Sequence, residues 1–311
     1  MARAPHRGLP ASSNPRAAWP IRIAAHAFGD SRPAHDLFVS PGHSICVDVL
    51  GEVLIPASHL INGATVGQVE VDEVTYWHVE LESHDILLAD NLPTESYLDV
   101  GNRAFFKDNG VIDLDAAPDA PFDPRADTCR PFHDGGPIVE AVHHQLRGRA
   151  PALGWQLMED PLADLHLIAD GERIEPDVED LSARFIVPAS AQELWLMSQT
   201  SVPKNIGRNE DGRTLGVCLA GLSIDDGLGL RRAIALDDPR LRVGFHGVED
   251  EADRRIRWMN GRASLPKSLW AGCRSAFFLR LDLATPALPR WVAPLSDVVA
   301  PRDKFASLRC V

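Results

Sequence analysis

Apolar positions recur at every second residue over short spans, and turn-forming residues interrupt them. In residues 20–27, Ile21, Ile23 and Ala25 alternate with more polar neighbours, which predicts a strand. Residues 37–39 predict a short strand broken by Ser40-Pro-Gly42, and 44–50 resume with Ile45, Val47 and Val49 on one face. Residues 53–55 return as its partner, and 57–61 suit one helical turn. Asn62-Gly63 reads as a two-residue hairpin, because both residues tolerate positive φ. The clearest alternation is 74–81, with Thr75, Trp77, Val79 and Leu81 on one side and Val74, Tyr76, His78 and Glu80 on the other. Residues 86–88 predict one more strand, and 90–96 read as a polar loop.

Beyond 100 the pattern fades into a linker with Pro118, Pro121 and Pro124. Ile138, Val142, Gln145 and Leu146 then recur at helical spacing after Gly136-Pro137, which predicts a helix over 138–146. From 164 onward short strands return. Residues 165–174 form a hairpin with Asp170-Gly171 at its tip, and 257–265 form another around Asn260-Gly261. Strands are also expected at 183–187, 193–198, 215–219, 222–224 and 276–283. Strands so spaced predict a mainly β protein whose second half is a β-sandwich or jelly-roll-like domain, with one helix between the halves.

Composition agrees with this pattern. The chain has 311 residues, 24 Pro and 23 Gly, so it is long enough for two domains and heavily punctuated by turns. A net charge of −13 argues against nucleic acid and anionic membrane surfaces, which need clustered Lys and Arg. No apolar run reaches the roughly 20 residues that span a bilayer. The five cysteines are scattered and form no CxxC pair, so neither zinc nor a disulfide framework is expected, and no cofactor is assigned. Residues 1–19 are rich in Ala, Arg and Pro without an apolar core, which reads as a disordered segment rather than a secretory signal. The compartment is left open, cytoplasmic by default.

Candidate chemistry concentrates in residues 35–99. Ser40-Pro-Gly-His43 puts a hydroxyl and an imidazole around one tight turn, where both can address a single peptide group. A capped turn between strands is the plainer reading of those four residues. Tyr76, His78, Glu80 and His84 with His43 and His59 lack a tight ligand pair, so no metal is assigned. In the second half, His246, Glu249 and Trp258 form the densest polar and aromatic group, a candidate sugar-binding surface. The favoured reading of Trp258, Trp270 and Trp291 is that they fill a sandwich core, since Trp is usually mostly buried.

Several blocks in order resemble the Hint (Hedgehog/intein) family. Ser40-Pro-Gly-His43 is similar to its TxxH block. Residues 74–81 followed by His84-Asp85-Ile86-Leu87-Leu88-Ala89 are similar to its closing strands. Residues 54–63 and 92–99 resemble a bacterial branch that carries a C-terminal extension. The resemblance covers about residues 20–105 and implies the closing part of a self-processing β-domain, in which a Cys or Ser attacks the preceding carbonyl and an acyl shift follows. It implies that His43 protonates the scissile amide, that Ser40 is its hydroxyl partner, and that His84 and Asp85 face that site.

The family's opening half would precede this block by more than the 39 residues that lie before Ser40, none of which is Cys. Glu95-Ser96 stands where inteins end in His-Asn. The expectation is therefore a Hint protein without splicing activity and inactive by itself. Its partners would be its own missing N-terminal half or a flanking polypeptide. A carbohydrate-binding module and a structural surface protein are the alternatives. The expected organisation is a segment 1–19, a Hint part 20–105, a linker with one helix 106–163, a β-sandwich-like domain 164–292 and a tail 293–311.

Overall fold

The computed structural model describes residues 15–72, 74–98, 123, 127–251, 254–294 and 308–310. The protein is mainly β, built of several antiparallel sheets and a thirteen-residue α-helix. The chain forms two compact units, Met1–Gln156 with Val292–Val311 and Leu157–Trp291.

In the first unit, β1 (Ile21–Ile23) lies between β2 (Leu37–Val39) and β5 (Val66–Gln68), antiparallel to both. A second sheet has the order β4 (Glu52–Pro56), β3 (Ser44–Asp48), β8 (Leu92–Glu95), β7 (Ile86–Ala89). The alternation seen in the sequence sends Ile21, Ile23, Val39, Ile45, Ile55 and Val66 into one core. Helix α1 (Pro137–Arg149) adds Val139, Val142 and Leu146 to that same core. Gly136 precedes it at φ 85° and Pro137 opens it, since a first-turn N–H needs no partner. His143 of α1 donates its ring Nε2–H to the His59 carbonyl on the 3-10 turn Ala57–Leu60.

Three local expectations are corrected. Residues 90–96 are not a loop: Asp90 and Asn91 (φ 50° and 66°) turn a tight hairpin, and Leu92–Glu95 is strand β8. Asp and Asn tolerate the left-handed region, so the turn was available to them. Asn62-Gly63 is not a two-residue hairpin. The buried Asn62 side chain instead organises a wider loop, accepting the N–H groups of Ala64 and Val66 and donating to Thr65 Oγ1. The long alternation of 74–81 yields only β6 (Val74–Tyr76), which pairs in parallel with Leu308–Cys310. The next five residues leave the ladder, with Val79 O accepting the Tyr97 N–H at 2.8 Å. Trp19 packs on Val71, Val74 and Tyr76, and the Tyr76 hydroxyl donates to Ala18 O at 2.7 Å, so this end of the N-terminal segment is ordered. Residues 1–14, 99–122 and 124–126 lie outside the described residues.

The second unit has two sheets. One has the order β10 (Glu172–Ile174), β9 (His166–Ala169), β13 (Leu194–Met197), β18 (Arg262–Ser264). The other runs β11 (Asp177–Glu179), β12 (Ser182–Pro188), β19 (Ala276–Leu283), β14 (Cys218–Asp225), β17 (Arg254–Met259), β16 (Phe245–Glu251), with β15 (Arg231–Ala233) on β14. Leu167, Leu196 and Ala263 from the first and Phe185, Leu219, Phe277 and Leu281 from the second fill one core.

The expected hairpin at Asp170-Gly171 forms, with both residues at positive φ. The expected hairpin at Asn260-Gly261 does not. β17 and β18 belong to different sheets, and the chain crosses between them here. Gly261 sits at φ +97°, and a Cβ there would come within 2.4 Å of Thr200 Cγ2, so this crossing needs glycine.

Because α1 completes the first unit's core, Leu146→Ala in the full chain is expected to destabilise that unit by about 2–5 kcal/mol. Leu88→Ala, at a side chain 68% exposed, is expected to cost less than about 0.5 kcal/mol. Chemical denaturation of the two variants against the parent checks the difference.

Candidate functional site

The site begins at the turn between β2 and β3. His43 N–H donates to Ser40 O at 3.1 Å, which closes the turn. Ala57 N–H donates to His43 O at 2.9 Å and Ser58 N–H to Pro41 O at 3.0 Å, so the 3-10 turn at Ala57–Leu60 pins it from outside. Pinned on both sides, His43 is only 7% exposed, and its Nε2 has no hydrogen-bond partner among the described residues. Burial, then the neighbouring His78 and His84, push the imidazole pKa down from 6.5 to about 3. The ring is therefore neutral at physiological pH, with one N–H and one lone pair.

Three further elements converge on it. His78 follows β6, its ring centroid 6.3 Å from that of His43 and 5.6 Å from that of Tyr97. Glu95 ends β8, and its Oε1 accepts the Ser44 N–H at 2.7 Å. His84 stands before β7, with Nε2 3.5 Å from Glu95 Oε2 and Nδ1 accepting the Cys129 N–H at 3.1 Å. Burial raises the Glu95 carboxyl above its ordinary range, against the opposing pull of the Ser44 N–H and His84.

Residues 129–133 reach the site by lying along β4. Leu54 N–H donates to Pro131 O at 2.8 Å and His133 N–H to Leu54 O at 2.9 Å. Arg130 Nε contacts Glu52 Oε2 at 2.6 Å. Burial raises the Cys129 thiol pKa, partly offset by Arg130, so this thiol is not activated as a thiolate.

The structure thus brings His43 and His84 together. Ser40 contributes its carbonyl to the turn. Asp85 turns outward: its side chain is 55% exposed, accepts the Ile86 N–H and lies 3.5 Å from Arg130. The sequence placed Glu95 only at the position of the intein terminal pair and gave it no part in the site, because its segment read as a loop. The Asp90-Asn91 turn followed by Leu92 was the available signal. Among the described residues no three His, Cys, Asp or Glu side chains could hold a metal ion. No helix among them is long and apolar enough to cross a membrane.

In the second unit, Glu249 is engaged by Arg213 at 2.7 Å, and the His246 ring contacts Thr214 O at 2.9 Å. Trp258 packs partly buried against Cys218, Ile256 and Ala284. Trp270 is a core residue stacked on Phe277.

Residues 5–101, about a third of the chain, match the family model of the Hint domain, and this part of the protein is a Hint domain. No curated protein and no solved structure matches the chain.

The titration of His43 sets the sign of an acid effect. Its folded pKa lies below its unfolded one, so the unfolded chain binds the proton first as pH falls. Its stability contribution is intact above pH 6.5 and is lost towards about pH 3. Glu95 acts oppositely, because a raised carboxyl pKa favours the folded state most on the acid side and less as pH rises past 4.5. His43→Leu is therefore expected to flatten the acid limb by up to about 1.4 kcal/mol per pH unit. Denaturation midpoints measured from pH 7 to pH 4 check this, and parallel acid limbs in parent and variant would refute it.

Proposed function

We propose that the His43–His84–Glu95 cluster is the acid–base part of a Hint-type self-processing site. The buried His43 with its unpartnered Nε2 supports this reading. An orphaned buried polar nitrogen costs about 1–3 kcal/mol, and a packed β-domain gains nothing structural from it. A neutral imidazole at that place can take the proton from an attacking hydroxyl or thiol. It can then return that proton to the departing amide nitrogen. The two steps together make an N-to-O or N-to-S acyl shift, with no net change in the protonation of His43.

The attacking group comes from elsewhere in this reading. Among the described residues no hydroxyl or thiol is hydrogen-bonded to His43 or His84. The chain by itself accordingly does not cleave. Splicing is outside its reach as well, since Glu95-Ser96 cannot cyclise as a terminal Asn does.

Two measurements test this. Intact-mass analysis of the purified chain with dithiothreitol or hydroxylamine is expected to show no fragment, and a discrete fragment would contradict the inactivity. Fusing the opening half of a cleaving Hint domain, with its Cys, upstream of this chain is expected to restore thiol-induced cleavage. In that fusion His43→Ala should slow cleavage roughly 10²–10⁴-fold. Equal rates with and without His43 would overturn the acid–base assignment.

A further inference from the structure

We infer that Glu95 is the positioning residue of this site, one carboxylate oxygen holding the His43 turn and the other holding the proton of His84 on Nε2. The inference rests on the acid–base reading of the cluster and adds to it a residue to which the family resemblance gave no role.

The strand register sets the Glu95 carboxylate beside the turn. Ile45 of β3 faces Thr94 of β8. Ser44 and Glu95 are the next positions outward on the two strands. There the Ser44 N–H is taken by the Glu95 side chain at 2.7 Å rather than by a main-chain carbonyl. Ser44 directly follows His43, so the Glu95 carboxylate holds the exit of the turn. The Ala57 and Ser58 amides hold the turn from the other side.

The backbone around Cys129 fixes the tautomer of His84. Its Nδ1 faces the Cys129 backbone N–H at 3.1 Å and must present a lone pair to it. The neutral ring then carries its proton on Nε2, which makes no close hydrogen bond among the described residues and faces Glu95 Oε2 at 3.5 Å. The His84 and Glu95 side chains are only 7% and 15% exposed. Water is therefore a poor substitute for either partner, and a carboxylate, which only accepts, is the group that leaves the proton on Nε2. One side chain thereby sets the place of one imidazole and the protonated nitrogen of another. Burial of Glu95, which raises its hold on a proton, accords with its enclosed position between them.

The test reads the ring directly and does not depend on cleavage, so a failed fusion experiment would leave it standing. In the uniformly ¹⁵N-labelled full chain, long-range ¹H–¹⁵N spectra are expected to show His84 protonated on Nε2 alone at neutral pH. Glu95→Gln keeps an acceptor for Ser44 but sets an amide NH₂ against the His84 Nε2–H. The variant is expected to lose the single tautomer and to shift the Cys129 amide signal. Glu95→Asp is too short to reach both partners and is expected to move the Ser44 amide signal; it serves if the Gln variant does not fold. A parental His84 protonated on Nδ1 would overturn the inference. So would a folded variant in which the His84 ring and the Cys129 and Ser44 amides are all unchanged.

Discussion

Burying a histidine without satisfying one of its nitrogens is the constraint on which the first unit turns. His43 is enclosed by a turn whose peptide groups are bonded on both sides, so it cannot swing out to recover its hydration. An imidazole so enclosed can remain only if it is neutral, and burial with two neighbouring imidazoles keeps it so. The cost is carried by the core around it, where Ile21, Ile23, Ile45, Ile55 and Leu60 are fully buried. Each such side chain contributes about 1.5–3 kcal/mol on leaving water.

That core reaches beyond the stretch matched as a Hint domain. The match ends at residue 101, yet Val139, Val142 and Leu146 pack among the same strands, and Cys129 bonds directly to His84. The backbone of residues 129–133 lies along β4, which satisfies groups on the edge of that sheet. The later segment is thus both structural cover and part of the site. It supplies the amide that decides which nitrogen of His84 is protonated.

The resemblance singled out His43 and His84 because their blocks occur in a recognisable order. It gave Glu95 no role, because the meaning of that residue depends on a register. Only the Asp90-Asn91 turn brings β8 beside β3 and sets Glu95 against Ser44. Asp85 shows the converse. It shares a block with His84, but the next position along an extended chain points the other way, towards Arg130 and solvent. Residues 74–81 alternate as a strand should, yet the ladder ends at Tyr76 and His78 is placed near His43 by chain that has left it.

By itself the sequence determined the class of fold and its local pieces. Period-two alternation specifies which faces are apolar, Gly136-Pro137 starts α1, and Asp170-Gly171 closes a hairpin, all through interactions only a few residues long. Tertiary structure decided which pieces share a sheet and which side chains meet. Asn260-Gly261 became a crossing between sheets rather than a hairpin, because β17 pairs with its neighbour β16 and with β14, while β18 pairs with β13 in the other sheet. The site was decided in the same way. Ser44 meets Glu95 across 51 positions and His84 meets Cys129 across 45, and no local pattern encodes contacts at such separations.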